Sequence, residues 1–434
     1  MKILSIIAQK PYATGSGVYF TELLKRFEEQ GHEQAILCGI SWDEDFSAYE
    51  QRFPNIRMFP LRYGSEELPF DILGMSDVMP YPSTRYRDLS AEQARRFEKA
   101  YIAKIRSAVR SFQPDLILCH HLYFLTTIVV ENFSDHPITG ICHGTCLRQI
   151  GSNPFERERI LRAIRKLPKI FALQEEQKKE IASLGIDPER IRVVGNGYDP
   201  AIFSKKDLAD EDKRSVLERI EKTFGEDFDP AEIRLAYAGK ISLSKGLMSL
   251  FGAIDRIRDR RLKIYLAGGG GVQEESDMIR ARARLSYHKA IFLGHRTQDE
   301  LAELYRSCDL FVFPSYYEGL GLAVIEAMAC GLPVVVSDTE GLRAWICAKI
   351  DDPPIEFVEL PKMRDVDRPY EEELPDYERR LAEAIERQIR RIENESMPDD
   401  MDMSAFSWQK VAEEILSFVG PILGEKTKIV DTDK

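Results

Sequence analysis

The chain has 434 residues, 44% of them hydrophobic and 30% charged, which is ordinary for a globular protein of two domains. Its formal net charge of −12 argues against a nucleic-acid-binding protein and against a surface built mainly to bind anionic lipid. The seven cysteines form no Cys-x-x-Cys pair, which predicts reduced core thiols, no metal site and a reducing compartment. The first apolar segment is too short to span a bilayer and is followed by no cleavage site, so we expect a cytoplasmic protein.

The first half of the chain alternates strands and helices. Lys2–Ala8 is predicted to be a buried strand, and a loop of small residues, Ala13–Gly17, separates it from a helix at Val18–Gln30. Further strands are predicted at Gln34–Cys38, Asp115–Cys119, Pro137–Cys142 and Lys169–Leu173. Continuous apolar strands separated by helices indicate a parallel sheet that is covered on both faces.

The second half repeats this pattern. Strands are predicted at Arg234–Ala238, Lys263–Ala267, Ile291–Leu293, Leu310–Phe313 and Pro333–Ser337. We therefore expect an α/β protein with two doubly wound Rossmann-like domains, residues 1–200 and 201–405, that face each other across a cleft, followed by a terminal segment, residues 406–434. Ligands of such sheets bind beyond the carboxyl ends of the strands, so the cleft is the expected active site.

Three segments leave alternatives open. Ser41–Tyr86 is irregular and is either a long functional loop or an elaborated sheet edge. Asp351–Arg379 is acidic and rich in proline, which predicts a solvated surface excursion before helical spacing resumes at Leu381–Ile392. Ser90–Phe112 carries six cations among apolar residues at helical spacing, so it either docks on an anionic membrane or a phosphate-bearing acceptor, or is an ordinary helix packed on the sheet.

The strongest chemical signal is Glu318–Pro333, which follows a predicted strand and opens a helix. Gly319 and Gly321 permit close approach of a ligand and expose backbone amides at the helix start, where phosphate binds. Glu326 lies about two turns beyond Glu318, so both carboxylates can accept hydroxyls of one extended ligand such as a sugar or ribose diol. The alternative is a turn and an amphipathic helix with two solvated glutamates.

A second signal is Ala238–Gly246, which places Lys240 and Lys245 between glycines at another strand end. Two cations beside a helix start suit a diphosphate, and they would stabilise the charge of a nucleoside diphosphate leaving group. The order of residues is not that of a Walker A loop. The alternative is an exposed turn that happens to carry lysines.

Together these motifs resemble the retaining GT-B enzymes of glycosyltransferase family 4. The resemblance extends over nearly the whole chain, and its motifs are Gly15–Gly17, Ile141–Gly144, Gly195–Asp199, Gly239–Gly246, Phe292–Gly294, Ser307–Ser315, Glu318–Glu326 and Phe406–Trp408. It implies that the first domain binds the acceptor, that the second binds the nucleotide sugar, and that a helix from residue 406 onward crosses back to the first domain. One departure is Lys240, where the family usually has an arginine, because lysine gives a point charge instead of a planar fork.

The resemblance also implies residue roles. His143, Lys245 and Glu318 would be catalytic. The donor-binding set would be Gly15, Ser16, Gly17, Lys240, Lys245, Arg296, Glu318, Gly319, Leu320, Gly321, Leu322 and Glu326. Within it, Glu318 would bind the transferred sugar, Glu326 the ribose, the two lysines the diphosphate and Arg296 the base, while His143 would lie near the anomeric centre.

The activity implied is transfer of a hexose or N-acetylhexosamine from a nucleotide sugar, taken to be a UDP-sugar, to an unidentified acceptor with retention and without an obligatory metal or other cofactor. The alternatives are an epimerase or glycogen-synthase-like enzyme on the same fold, or a non-catalytic nucleotide-sugar-binding scaffold. The residues that end another strand, His120 and His121, are either catalytic or, as we expect, a polar cap of the sheet.

Overall fold

The structure is a computed structural model that describes residues 1–12, 14–76, 79–206, 208–270, 272–318, 320–365, 367–394 and 401–424. The chain divides into two compact units. The first unit comprises Met1–Asn196 together with Trp408–Lys434, and the second comprises Gly197–Ser407. The two divisions lie between residues 196 and 197 and between residues 407 and 408.

The regular elements alternate along the chain as in other Rossmann-like proteins. The strands are β1 Lys2–Ile6, β2 Glu33–Ser41, β3 Arg57–Tyr63, β4 Leu73–Gly74, β5 Thr84–Arg85, β6 Leu116–His120, β7 Ile138–Ile141, β8 Lys169–Ala172, β9 Ile191–Val193, β10 Ile233–Ala238, β11 Leu262–Ala267, β12 Lys289–Gly294, β13 Leu310–Phe313, β14 Val334–Ser337, β15 Ile355–Val358, β16 Met363–Asp365 and β17 Arg368–Pro369. The helices are α1 Gly15–Glu29, α2 Phe46–Arg52, α3 Ala91–Phe112, α4 Phe124–Asn132, α5 Thr145–Ser152, α6 Arg157–Ile164, α7 Glu175–Ser183, α8 Asp210–Thr223, α9 Leu247–Ile254, α10 Gln273–Arg284, α11 Gln298–Ser307, α12 Leu322–Ala329, α13 Glu340–Cys347, α14 Leu374–Glu393 and α15 Trp408–Gly424.

The first unit is built on a parallel sheet of seven strands in the order β3-β2-β1-β6-β7-β8-β9. Successive side chains of a strand point to opposite faces, so Ile3 packs in a cluster with α1 and α15 while Leu4 packs in another with α3 and α4. Burial on both faces explains why the central strands of this sheet carry runs of apolar residues instead of a strict alternation with polar ones. The terminal helix α15 belongs to this unit, where Trp408 packs edge-to-face on Tyr19 with ring centroids 4.9 Å apart.

The second unit has a parallel sheet of six strands in the order β12-β11-β10-β13-β14-β15. In each sheet the order of the strands reverses at a switch point. This point lies between β1 and β6 in the first unit and between β10 and β13 in the second. Ligands bind at such switch points, beyond the carboxyl ends of the strands. The loops that carry the sequence motifs emerge at these points.

The prediction that Asp351–Arg379 is a solvated surface excursion is wrong in two places. Ile355–Val358 pairs with β14 as the edge strand of the second sheet, and α14 begins at Leu374 and buries Tyr377 completely. An edge strand has one neighbour and is only partly buried, so its sequence, IEFV among acids and prolines, lacks the apolar continuity of a central strand. In Ser41–Tyr86 the structure favours the elaborated edge, because β3 pairs with β2 over seven residues.

The helix predicted at Ser90–Phe112 packs on the sheet. Its apolar side chains, including Phe97, Tyr101 and Ile105, lie in the core of the first unit, so the ordinary-helix interpretation is confirmed. Peripheral contact with an anionic membrane stays a prediction, and it depends only on the exposed cations of this helix, Arg95, Arg96, Lys99, Arg106 and Arg110. Within the described ranges, we find no helix with both the length and the apolar character needed to cross a bilayer.

Candidate functional site

The switch point of the second unit brings two of the predicted catalytic residues together. Gly246 adopts a left-handed conformation with φ 68°, and a Cβ atom there would lie 1.9 Å from the carbonyl oxygen of Pro314. Only glycine therefore allows the loop after β10 to contact the loop after β13 this closely. The amide of Tyr316 also donates to the carbonyl of Ser244 over 3.0 Å. These contacts hold the two loops side by side.

Lys245 and Glu318 form an ion pair at this junction, with Nζ 2.6 Å from Oε2. The two side chains remain 21% and 20% exposed, so both stay accessible to a ligand. Lys245 also donates to the carbonyl oxygen of Tyr317 over 3.4 Å. A cation and a carboxylate held side by side can bind a phosphate and a sugar hydroxyl of the same molecule.

One further loop, the one after β11, joins this junction. The Cβ position of Gly268, after β11, lies 1.9 Å from the carbonyl oxygen of Gly239, so the loops after β10 and β11 are in backbone contact. Lys240 is exposed, and its carbonyl accepts a hydrogen bond of 2.8 Å from the hydroxyl of Tyr237. Glu275 of α10 accepts the amide of Leu243 over 3.1 Å, a contact that the sequence did not suggest.

The remaining residues of the glutamate motif lead into α12. Gly321 precedes the helix with φ 54°, Leu320 is buried, and Leu322 is the first helical residue and half-buried. Gly319, which we predicted to bind the donor, lies outside the described residues. Glu326 follows one turn into the helix, and burial of its carboxyl raises its pKa to about 7. Near neutral pH the side chain of Glu326 is therefore a mixture of the carboxylic acid and the carboxylate.

Arg296 lies elsewhere in the second unit. Its guanidinium donates to the carbonyl of Leu293 over 2.6 Å and pairs with Glu300 at 3.2 Å, and it lines a cavity of about 360 Å³ beside α8 and α11. The neighbouring His295 instead places Nε2 3.0 Å from the Cβ position of Gly269, in the loop that touches Gly239. Adjacent residues point to different sides of the chain, and only the structure shows which one faces the loop.

The switch point of the first unit contains a cavity of about 270 Å³. It brings together Gly15, Ser16 and His143 of the predicted site. Thr14 caps α1 by accepting the amide of Gly17 over 3.0 Å. Gly17 itself is explained by internal packing, since a Cβ atom there would lie 2.9 Å from the backbone nitrogen of Tyr12. Its contact with a donor phosphate stays a prediction.

Three histidines cluster at one side of this cavity. Nδ1 of His120 lies 3.1 Å from Nε2 of His143 and the two rings stack, while the ring of His121 lies 4.7 Å from that of His143. Burial lowers the pKa of His120 and of His143 well below the usual range, and the neighbouring His121 lowers both further. Both rings are therefore neutral at pH 7. The polar-cap interpretation of His120 and His121 was incomplete, because β6 and β7 are neighbours and their carboxyl ends bring the three rings together.

The cavity is otherwise lined by uncharged groups. Gln9 accepts the hydroxyl of Ser16 over 3.1 Å, and Thr145, Asn196, Met75 and Met79 also line the space. Such a surface offers hydrogen-bond donors and acceptors together with apolar contacts, which suits a polyhydroxylated molecule. The first unit thus presents a neutral polar site and the second a charged one.

Two family models match the chain. Residues 13–202 match the model described as Glycosyltransferase Family 4, and residues 232–354 match the one described as Glycosyl transferases group 1. The first match contains the histidine cluster and the second contains Lys245, Glu318 and Glu326. Both halves of the chain therefore match glycosyltransferase families.

Individual proteins agree with these matches. An uncharacterized glycosyltransferase of Methanocaldococcus jannaschii is 29% identical over 242 residues, which are 54% of this chain and 60% of that protein. The chain spans less than two thirds of the length of such curated relatives.

Solved structures show the same fold. Sucrose-phosphate synthase from Thermosynechococcus elongatus superposes with a TM-score of 0.62 at 17% identity, covering 98% of this chain and 100% of that one. Anabaena HepE in complex with UDP gives 0.60 at 15% identity, with full coverage of both chains. The fold is the GT-B fold of two Rossmann-like domains.

Proposed function

We propose that this chain is a retaining glycosyltransferase that moves a hexose or N-acetylhexosamine from a UDP-sugar to a hydroxyl group of an acceptor. The observation that carries the proposal is the Lys245–Glu318 pair at the switch point of the second unit, inside a segment that matches a glycosyltransferase model. HepE, a structural neighbour, was crystallised with UDP and with UDP-glucose, which favours a uridine nucleotide as the donor here.

The charges of the second unit supply the chemistry of the leaving group. As the glycosidic bond of the donor breaks, negative charge grows on the diphosphate, and Lys245 is placed to stabilise it. The exposed Lys240 and the first amides of α12 would add to this stabilisation. Glu318 would accept hydroxyls of the transferred sugar and Glu326 those of the ribose. Because lysines supply the positive charge, we expect turnover to persist in a chelator.

The neutral site of the first unit would bind the acceptor. A retaining transfer on one face of the sugar requires the acceptor hydroxyl to lie beside the departing phosphate, which can take up its proton. His143 is neutral, so it would offer a hydrogen bond to the donor sugar or acceptor and not a positive charge. Retention is inherited from the family resemblance, and the acceptor is unidentified.

The first experiment is thermal unfolding of the protein with UDP, GDP, ADP, dTDP and their sugar conjugates, in EDTA. A ligand at 100 times its Kd that binds only the folded state adds about 2.7 kcal/mol to the free energy of unfolding. We expect a shift with uridine nucleotides that is lost in Lys245→Ala. The matched control is Lys289→Ala, which removes an exposed lysine paired with Glu226 in the same unit.

Product analysis separates the alternatives. Nucleotide release in the presence of an acceptor, with the anomeric configuration of the product read from its proton NMR coupling, tests transfer and retention together. Conversion of the donor sugar without an acceptor would identify an epimerase, and a ladder of products would identify a polymerase. Binding without turnover over a broad panel of acceptors would indicate a scaffold, although the presence of Lys245, Glu318 and Glu326 argues against lost catalysis.

A further inference from the structure

His120 is a buried polar residue whose hydrogen bond to His143 indicates a function. It ends β6, is 3% exposed and lies against aromatic side chains, with the ring of Phe20 at 4.7 Å and that of Tyr19 at 6.5 Å. Within the described part of the chain, its ring has one recorded hydrogen bond, the contact of 3.1 Å between its Nδ1 and Nε2 of His143. Burying an imidazole costs free energy unless it is hydrogen-bonded, so this single contact has to satisfy the ring.

We propose that His120 is a positioning residue that fixes the tautomer and the ring orientation of His143, so that His143 presents an N–H group at Nδ1 to the substrate. The role of His143 toward a substrate rests on the proposed function, but the main measurement, the tautomer of His143, requires no substrate. It assigns His120 a role that the strand-end pattern of the sequence did not reveal.

The tautomer follows from counting protons. Both rings are neutral, so each carries one proton, and the hydrogen bond between Nδ1 of His120 and Nε2 of His143 uses one of the two. If that proton belonged to His143, the N–H group of His120 would be at Nε2, for which no hydrogen-bond partner is found in the described part of the chain. An N–H group without a full partner is costly to bury, so the favoured arrangement has His120 donating from Nδ1. Nε2 of His143 then accepts, and its own proton resides on Nδ1.

His121 also packs against the ring of His143. Its backbone has φ 75°, an uncommon conformation for a residue other than glycine. Consecutive strand residues point to opposite faces, so leaving strand geometry at this position lets His121 join His120 beside His143. Nε2 of His121 donates to Oε1 of Gln9 over 3.3 Å, and its Nδ1 lies 3.5 Å from the hydroxyl of Thr145. The strained backbone therefore supports the cluster and is not an isolated feature.

The consequence for the reaction is a directional hydrogen bond. With its proton fixed at Nδ1, His143 donates to an oxygen atom of the donor sugar or the acceptor and cannot serve as the base that removes the acceptor proton. A ring free to exchange tautomers would spend part of the time with a lone pair facing the substrate. Fixing the tautomer keeps the donating form populated throughout.

The test uses two substitutions of the full-length protein. His120→Asn keeps an N–H donor near the position of Nδ1, whereas His120→Phe keeps the ring volume and removes the donor. Nitrogen-15 NMR of the histidine rings reports the tautomer directly, with the signals of His143 assigned by His143→Asn. We expect the Nδ1–H tautomer in the wild type and in His120→Asn, and a shift toward Nε2–H in His120→Phe.

Activity gives the second readout. Because the loss of an orienting partner typically costs about 10–100-fold, kcat should fall by that factor in His120→Phe and recover most of the way in His120→Asn, with the KM of the donor little changed. His32→Phe, the same change at a partly exposed histidine, should alter neither kcat nor the spectrum of His143.

Two results would overturn the proposal. One is an Nε2–H tautomer of His143 in the wild type, and the other is an unchanged tautomer in a folded His120→Phe variant. If no acceptor supports transfer, the proposed function fails while the tautomer measurement still decides this inference. If His120→Phe does not fold, the spectra of the wild type and of His120→Asn decide it.

Discussion

The switch points of the two units have the same strand topology, but one carries neutral side chains and the other carries charged ones. In the first unit, burial keeps His120 and His143 neutral, and the site is a network of imidazole, amide and hydroxyl groups. In the second unit, Lys245 and Glu318 stay about one fifth exposed and form an ion pair. Burial without a countercharge keeps the histidines of the first unit neutral, whereas Lys245 and Glu318 are partly exposed and paired with each other.

The strongest test of this comparison concerns a charge that is fully buried. Lys263 of β11 has a side chain with no exposed area and donates to Glu221 over 3.0 Å and to the carbonyl of Asp227 over 3.0 Å. Lys263→Met leaves Glu221 buried without its cation, so we expect the free energy of unfolding to fall by about 3–5 kcal/mol. Urea unfolding measures it, and Lys289→Met, at a lysine that is 56% exposed, should cost less than about 1 kcal/mol. Equal losses in the two variants would contradict the argument.

The next effect concerns the ion pair of the second unit. We expect Lys245→Ala and Glu318→Gln each to lower kcat/KM by about 100–1000-fold, since each removes a group that we propose stabilises the transition state. Because the two side chains are in contact, the double variant should lose less than the product of the single losses. Steady-state kinetics with the donor varied checks this, and near wild-type kcat/KM in either single variant would remove that residue from the mechanism.

A smaller effect is the pH dependence of donor binding through Glu326. Its pKa is raised to about 7, so the carboxylate that we propose accepts ribose hydroxyls forms only as the pH rises through 7. The Kd for the UDP-sugar should therefore fall by about tenfold between pH 6 and pH 8. In Glu326→Gln the Kd should be independent of pH over this range, as isothermal titration calorimetry can show. A pH dependence that survives in the variant would assign the titration to another group.

The same group has a consequence for stability. A carboxyl whose pKa is higher in the folded than in the unfolded state stabilises the fold below its unfolded pKa, and this contribution is lost as the pH rises through about 7. Glu326→Gln should therefore raise the unfolding temperature more at pH 8 than at pH 5. An equal change at both values would show that the carboxyl is not desolvated.

Much of the fold could be predicted from the sequence, because central parallel strands are apolar at most positions. The strand Leu310–Phe313, with the sequence LFVF, is an example. The strands β3, β9 and β15 escaped prediction because each lies at or beside the edge of its sheet, where partial exposure admits arginine, glutamate and proline. Periodicity is weakest where only one neighbour buries a strand.

The parts of the site that depend on backbone conformation could be predicted from the sequence. The parts that depend on contacts between particular side chains could not. Glycines and strand ends indicated the loops that hold Lys245 and Glu318, because close loop contact requires glycine at positions such as Gly246. The choice between His295 and Arg296, and the pairing of His120 with His143, depend on the direction in which each side chain points. Sequence spacing carries no information on that direction.

The path of the chain has a practical meaning. The second unit is one uninterrupted segment, Gly197–Ser407, inserted into a first unit that the chain leaves once and re-enters once. A chimera that exchanges this segment for its counterpart in a related protein needs only two junctions and leaves the histidine cluster untouched. Under our proposal that the second unit binds the donor, we expect such an exchange to change the sugar specificity while the first unit, which we assign to the acceptor, keeps its sequence.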